Sequence, residues 1–216
     1  MVKVGARRSD QLKRSLDLTV ASVALALLSP VLAILACLVR AFHGSPVLFG
    51  QQRAGMRGRP FRIVKFRTMT EELGPDGILL PDDQRLTAFG RFLRSTSLDE
   101  LPELWNVVRG DMSLVGPRPL PISYLPRYTE RERRRHEVRP GITGLAQVCG
   151  RNSLSWEERL ELDVRYVETR SLALDLRILA RTVALVLSRT GISAEGHATM
   201  GELRPPPPVE PAQPSR

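Results

Sequence analysis

Between Leu18 and Val39 the chain runs for 22 positions without a charge. As an α-helix that run measures about 33 Å, close to the roughly 30 Å of a bilayer's hydrocarbon core. Ser29-Pro30 stands at its middle. Proline has no N–H to give the helix, its ring crowds the carbonyl of Ala26, and it disfavours the helical region for Ser29. A Ser hydroxyl can satisfy one of the freed backbone groups in lipid. Both flanks are basic, with Lys3, Arg7, Arg8, Lys13 and Arg14 before and Arg40, Arg53, Arg57 and Arg59 after. Cytoplasmic ends are therefore wanted on both sides. A re-entrant helix that enters, breaks at Ser29-Pro30 and returns meets both demands, with arms of about 10–12 residues. A kinked span and a buried helix of a soluble protein are the alternatives. A signal peptide fits poorly, because the apolar run is long and Arg40 and Phe42 follow it.

Beyond this foot the pattern changes. Val47–Arg53 and Phe61–Thr68 read as strands joined by a turn rich in Gly and Arg, which predicts a β-hairpin. Period two puts Lys65 and Arg67 on one face and Val64 and Phe66 on the other. Leu86, Phe89 and Leu93 stripe a helix over 83–94, after a loop holding Gly74-Pro75-Asp76-Gly77. Leu101, Leu104, Trp105 and Val108 are spaced for an amphipathic helix over 100–109, stopped by Gly110. A charged helix is expected around 129–137 and a short strand at Leu145–Val148. Ser155-Trp156-Glu157-Glu158 is a capping box opening a helix to about Thr169. Leu172–Leu187 is apolar but carries Asp175, Arg177 and Arg181, so it suits a membrane-surface or core-packing helix. Past Gly196 the chain is Pro-rich and is expected to be disordered. The predicted fold class is α+β, mostly helical. It comprises a basic flank and membrane helix over 1–41, one cytoplasmic catalytic domain over 42–196 with a short β-hairpin and amphipathic interface helices, and a tail over 197–216.

Charge narrows the function. Lys and Arg number 32 against 23 Asp and Glu, a net charge of +9, which calls for an anionic partner. A nucleic acid is disfavoured, since only 5% of residues are aromatic and it would not explain the Ser29-Pro30 break. The run Arg131, Arg133, Arg134, Arg135 alternates with Glu130 and Glu132 and reads as a solvated helix face. Cys37 and Cys149 are the only cysteines, so neither a disulfide framework nor a thiolate metal site is expected. His43, His136 and His197 read as incidental.

The candidate chemistry lies in Ser97-Leu98-Asp99-Glu100-Leu101-Pro102. One reading makes it a capping box, with Ser97 as N-cap and Glu100 as its partner. Pro102 strains that reading, because it would fall beyond the first turn. The other reading is catalytic. Arg94 precedes Asp99 by five residues, Lys65 and Arg67 add cations, and Arg118 is held between Pro117 and Pro119. Carboxylates among such cations can ligate Mg²⁺ or attack phosphorus.

The stretch from Arg94 to Val107, followed by Arg109-Gly110-Asp111-Met112-Ser113-Leu114-Val115-Gly116-Pro117-Arg118-Pro119, closely resembles the signature of the bacterial sugar transferases. These are monotopic phosphoglycosyl transferases that act on polyprenyl phosphates. Lys65-Phe66-Arg67-Thr68-Met69, Arg139-Pro140-Gly141-Ile142-Thr143-Gly144 and Glu161-Leu162-Asp163-Val164 with Tyr166 are similar too, and the likeness covers roughly Lys13 to Gly196. The resemblance implies a re-entrant helix broken at Ser29-Pro30, Mg²⁺, and transfer of a sugar phosphate from a UDP-sugar to undecaprenyl phosphate with loss of UMP. Asp99 would be the nucleophile and Glu100 its metal-associated partner. Lys65 and Arg94 would stabilise phosphate, with Arg67 beside them. Pro117-Arg118-Pro119 would contact nucleotide or phosphate, and Arg151 and Asp163 would pair to shape the pocket. A direct, Mg²⁺-assisted displacement is the alternative. The setting implied is the inner membrane, catalytic domain on the cytoplasmic face, in exopolysaccharide, O-antigen or glycoprotein assembly, with a homodimer left open. Cys149 departs from the small polar residue usual before Gly-Arg-Asn. The longer members' extra N-terminal spans are lacking, so the chain reads as the short catalytic form.

Overall fold

A computed structural model describes residues 4–150 and 154–188, together with Leu203. Helix α1 covers 40 residues, Val4–His43, with Pro30 inside it. The backbone stays helical through Ser29-Pro30, where a break was expected. Ser29 Oγ donates to the Ala26 carbonyl at 2.8 Å, and that carbonyl is the one that would have accepted the N–H missing from Pro30. With the orphan acceptor satisfied, the helix continues. Asp17, Ala21, Leu35, Val39 and His43 form its buried stripe. Its other faces stay bare, with Leu27 74% and Ile34 60% exposed. Only 11% of the most apolar stretch within Asp10–His43 is buried, the reverse of a core helix.

The buried stripe rests on a hairpin. Strands β1 (Leu48–Ala54) and β2 (Pro60–Phe66) pair antiparallel from Leu48↔Phe66 to Ala54↔Pro60. Their connection is a 3-10 turn over Met56–Gly58, in which Arg57 and Gly58 both take positive φ. Ala21 packs on Phe61 and Ile63 of β2 together with Leu104, Val107 and Met112. Leu35 and Val39 pack on Phe66 and Leu93. Polar ties fix the start of α1: Lys13 Nζ lies 2.7 Å from Asp175, and Ser113 Oγ donates to Asp17 at 2.7 Å.

The single helix expected over 83–94 is two, α2 (Asp82–Arg85) and α3 (Ala88–Ser95). Leu86 is extended, and the Thr87 hydroxyl accepts from Gly90 N at 2.9 Å, starting a new helix. A 3-10 turn over Leu98–Glu100 leads into α4 (Glu103–Arg109), which Gly110 ends at φ 93°. Arg14 donates to the last carbonyls of α4, Val107 at 2.7 Å and Val108 at 3.1 Å. The face α4 buries is Glu103, Leu104, Asn106 and Val107. Trp105, expected on the apolar stripe, is 52% exposed instead. The Asn106 carboxamide explains the rotation, accepting from Val64 N at 3.1 Å and donating to the Arg62 carbonyl at 2.8 Å. Those bonds lock α4 to β2.

A second, parallel pair joins β3 (Ser113–Val115) to β4 (Gly141–Thr143). The strand expected at Leu145–Val148 is instead helix α6 (Leu145–Cys149). Extended pairing falls earlier because Gly116 and Gly141 let two backbones approach where any Cβ would collide with the facing chain. Between the strands, α5 (Glu130–Arg133) opens on a Thr129–Glu132 capping box and tightens into a 3-10 turn over Arg134–Glu137. Helices α7 (Trp156–Thr169, opened by the expected Ser155–Glu158 box) and α8 (Leu172–Ser188) complete the described body. Val115, Val138, Val148, Tyr166, Val167 and Ile178 form their shared core. On α8, Leu176 and Leu187 point outward at 68% and 79% exposure. The tail expected to be disordered falls outside the described residues except at Leu203, which is buried against Tyr124, Tyr128 and Leu160.

Candidate active site

Ser97 decides between the two readings of the acidic pair. Its φ of 57° is left-handed, and its side chain caps nothing. Such a conformation costs a non-glycine residue about 1 kcal/mol or more. The turn it creates presents the following carboxylates separately: Glu100 meets two cations, while Asp99, also buried, lines an open cavity. The capping box therefore does not form.

Glu100 Oε1 receives Lys65 Nζ and Arg118 Nη2, each at 2.6 Å. Lys65 also lies 2.9 Å from Glu103, whose side chain is 2% exposed. Burial alone would raise Glu100, but Arg118 and Lys65 hold it well below the usual carboxylate range. Burial opposes the charge on Lys65, and Glu100, with Glu103 and Asp99, more than offsets it, so its pKa rises. Glu103 is pushed up to about 7 by burial, against the pull of Lys65. Asp99 is pushed up to about 6 by burial and by the adjacent Glu100 charge, opposed by Lys65, Arg94 and Arg118. Among the described residues no hydrogen bond engages the Asp99 carboxylate. It is ionised at neutral pH, poorly solvated and open to a ligand.

The cavity it faces has a volume of about 960 Å³ and is lined by Lys65, Arg67, Thr68, Arg85, Arg94 and Arg118 among others. Arg94 is anchored by Nε to Thr68 Oγ1 at 3.0 Å. Arg67 lines the same wall, but its guanidinium turns to the Ser45 carbonyl at 3.0 Å and to Glu71 at 3.4 Å, away from the acidic pair. Pro117 and Pro119 are buried on either side of Arg118. The segment is pinned from outside, since Gly141 N donates to the Pro117 carbonyl at 3.0 Å and Arg135 Nη2 to the Arg118 carbonyl at 2.6 Å. An anionic group entering here meets several cations and one carboxylate that no hydrogen bond engages among the described residues.

Asp163 is buried, and it pairs with Arg135, whose Nε and Nη2 donate at 3.0 and 2.6 Å. Arg151 lies outside the described residues. The solvated-face reading of the arginine run is corrected at Arg135, which is 2% exposed. The change from α5 to a 3-10 turn rotates it inward. Arg131 and Arg134 do remain on the surface, paired with Glu161 and Glu168. His136 is held near 4 by burial and the Arg135 charge, and so is neutral. Cys37 and Cys149 are both free and exposed. Glu103 and Arg135 had escaped the reading of the sequence. Glu103 had one available signal: three positions past Glu100, it can turn its carboxylate to the same Lys65.

Among the described residues no group of three or more His, Cys, Asp or Glu could hold a metal ion. The acidic pair still suits Mg²⁺, which is usually held by one or two carboxylates together with substrate phosphates. Asp99 offers an unbonded carboxylate to such a partnership.

A family model described as bacterial sugar transferase matches residues 8–189. The uncharacterized sugar transferase EpsL of Bacillus subtilis is 54% identical over 188 residues, which cover 87% of this chain and 93% of that protein. The UDP-glucose:undecaprenyl-phosphate glucose-1-phosphate transferase of Caulobacter vibrioides is 43% identical over 189 residues, 83% of this chain and 71% of the relative. The UDP-galactose-lipid carrier transferase of Erwinia amylovora is 44% identical over 197 residues, but this chain spans only 41% of its length. A match of this extent, over the segments that build the acidic pair and its cations, places the chain in the bacterial sugar transferase family.

Proposed function

We propose that this protein transfers a sugar 1-phosphate from a UDP-sugar to undecaprenyl phosphate, giving a diphosphate-linked lipid sugar and UMP. The observation that carries this reading is Asp99: buried, unbonded among the described residues, raised to about 6, and facing a cation-lined cavity. The named activities of relatives from Caulobacter vibrioides and Erwinia amylovora point the same way.

In this reading Asp99 is the nucleophile. Its carboxylate attacks the sugar-bearing phosphorus, the bond to the bridging oxygen breaks, and UMP leaves with that oxygen. An oxygen of undecaprenyl phosphate then attacks the same phosphorus and releases the Asp99 carboxylate. Lys65 and Arg118 neutralise charge on the phosphoryl oxygens, and Glu100 holds both cations in place. Arg94 balances the charge of Asp99 before attack. Mg²⁺ bound by Asp99, Glu100 and the donor's phosphates would supply further charge neutralisation. The bare apolar faces of α1 and α8 support a seat at a membrane surface; in this reading that surface is the cytoplasmic face of the inner membrane, within reach of a lipid phosphate.

Purified protein in detergent, supplied with Mg²⁺, undecaprenyl phosphate and a panel of UDP-sugars that includes glucose and galactose, is expected to release UMP. No UMP from any member of the panel would overturn the proposal. Direct attack of the lipid phosphate is the competing route, and it forms no protein-bound phosphosugar when lipid is withheld.

A further inference from the structure

Leu203, the one described residue of the C-terminal tail, is among the most buried side chains of the chain. It is 2% exposed and sits among Tyr124, Tyr128 and Leu160. Its backbone is held on both sides. Arg127 Nη1 donates to the Leu203 carbonyl at 2.7 Å, and Leu203 N donates to Tyr124 Oη at 3.4 Å. Arg127 also lies over the Tyr124 ring, 4.9 Å from its centroid. An apolar pocket with a donor and an acceptor for one residue's backbone suits the capture of a peptide: the side chain sets the fit, and the main-chain bonds fix its direction.

Contacts that do not involve the tail hold the pocket's walls. Tyr124 and Arg127 belong to a 3-10 turn over Ile122–Arg127, and Tyr124 N donates to the Pro121 carbonyl at 3.0 Å. Tyr124 meets Trp156 edge-on, with ring centroids 5.8 Å apart, and Arg135 Nη1 donates to the Tyr128 hydroxyl at 3.4 Å. The pocket therefore keeps its shape when the leucine leaves. On the tail's side, Pro205 to Pro208 follow soon after Leu203. Their fixed φ reduces the freedom that the segment loses on docking. The turn also adjoins the stretch that carries Arg118. Pro121, at its start, bridges to Arg53, and the Leu120 carbonyl accepts from Ala54 N at 3.0 Å.

From this we infer that Tyr124, Arg127, Tyr128 and Leu160 form a peptide-docking site, that the chain fills it with its own tail through Leu203, and that the seated tail steadies the turn beside the Arg118 segment. The site is independent of the reaction proposed above, and its test needs no turnover. In full-length Leu203→Asp the tail carries a charge that the apolar pocket rejects, while the body keeps every wall residue. A synthetic peptide of residues 198–208, titrated calorimetrically in detergent, is expected to bind that protein with a Kd of about 0.1 mM, as suits one buried leucine and two backbone hydrogen bonds. A tethered tail competes at an effective concentration on the order of 1 mM, so the parent should bind the peptide about tenfold more weakly. Arg127→Met added to Leu203→Asp should weaken the peptide about tenfold, the worth of one charge-assisted hydrogen bond. The same peptide carrying Leu203→Asp should bind neither protein. Hydrogen exchange at the Tyr124 amide should run about threefold or more faster in Leu203→Asp than in the parent, and slow again when the peptide is added. Leu203→Ala, which brings no charge, should fall between the two and serves in place of Leu203→Asp if that protein does not melt cooperatively. Equal peptide affinity for parent and variant, no binding to either, or unchanged exchange at Tyr124 would overturn the inference. Competition in the parent that fades as the protein is diluted would place the tail on a second copy and overturn the docking within one chain.

Discussion

Removing Lys65 tests the electrostatics of the site from the inside. Lys65 Nζ sits 2.6 Å from Glu100 and 2.9 Å from Glu103, and the three side chains are 17%, 18% and 2% exposed. In Lys65→Met, Glu100 keeps Arg118, but Glu103 loses the cation it touches. Breaking a buried pair in this way costs about 3–5 kcal/mol. Glu103 limits the loss by taking up a proton, which its pKa of about 7 makes inexpensive at neutral pH. The net cost at pH 7 is therefore about 2–3 kcal/mol, or roughly 4–12 °C in melting temperature for a domain of this size. The pH dependence follows from the same proton. In the parent, folded Glu103 titrates near 7 and the unfolded side chain near 4.5. The folded state holds the extra proton in that interval, so this group's contribution to stability falls as pH rises from 4.5 to 7 and is then flat. Without Lys65 the folded pKa climbs further, and the fall continues above pH 7 at up to about 1.4 kcal/mol per unit. Melting curves in detergent at pH 6, 7 and 8 should show the parent–variant gap widening with pH. Adding Glu103→Gln to Lys65→Met should recover most of the stability and none of the UMP release. A gap that is absent, or that narrows with rising pH, would refute this account of the three-residue cluster.

Other outcomes follow from the same geometry. Asp99→Asn should abolish UMP release while raising the melting temperature at pH 7. The rise of the Asp99 pKa from 3.8 to about 6, at about 1.4 kcal/mol per unit, places an upper bound of about 3 kcal/mol on the penalty that substitution relieves. In the proposed mechanism Asp99 attacks as the carboxylate, so kcat/KM for the UDP-sugar should fall about tenfold per unit below pH 6 and level off above it, and a profile flat from pH 5 to 8 would contradict this. Glu100→Gln leaves Lys65 and Arg118 without the charge that holds them, so activity measured as UMP release should drop by about a hundredfold or more. Arg135→Met strands Asp163 as a buried charge and frees the Arg118 carbonyl; thermal melting should show a loss of about 3–5 kcal/mol, with Asp163→Asn in the same chain restoring part of it.

The features legible in the sequence were those coded by local chemistry. The Ser155–Glu158 box fixed the start of α7, and alternation with a glycine turn gave the hairpin almost to the residue. The acidic pair was also visible, but the choice between cap and chemistry was not, because it hangs on Ser97 taking a positive φ that Ser does not advertise. Tertiary contacts decided the rest. Trp105 fits an apolar stripe by spacing, yet the Asn106 carboxamide bonding to β2 turns it outward. Arg135 sits in a run that looks solvated, yet where the helix tightens to a 3-10 turn it is buried against Asp163. Pro30 signalled a break, yet the backbone stays helical through it, with the Ser29 hydroxyl bonded to the carbonyl that the ring leaves free.

The central claim is that Asp99 itself takes the phosphosugar. Protein incubated with Mg²⁺ and a UDP-sugar labelled in the sugar-bearing phosphate, without lipid, should acquire one label per chain. That label should map to the peptide holding Asp99, be absent from Asp99→Asn, and be discharged by added undecaprenyl phosphate. An active enzyme that never carries the label, or carries it on a peptide without Asp99, would contradict the account.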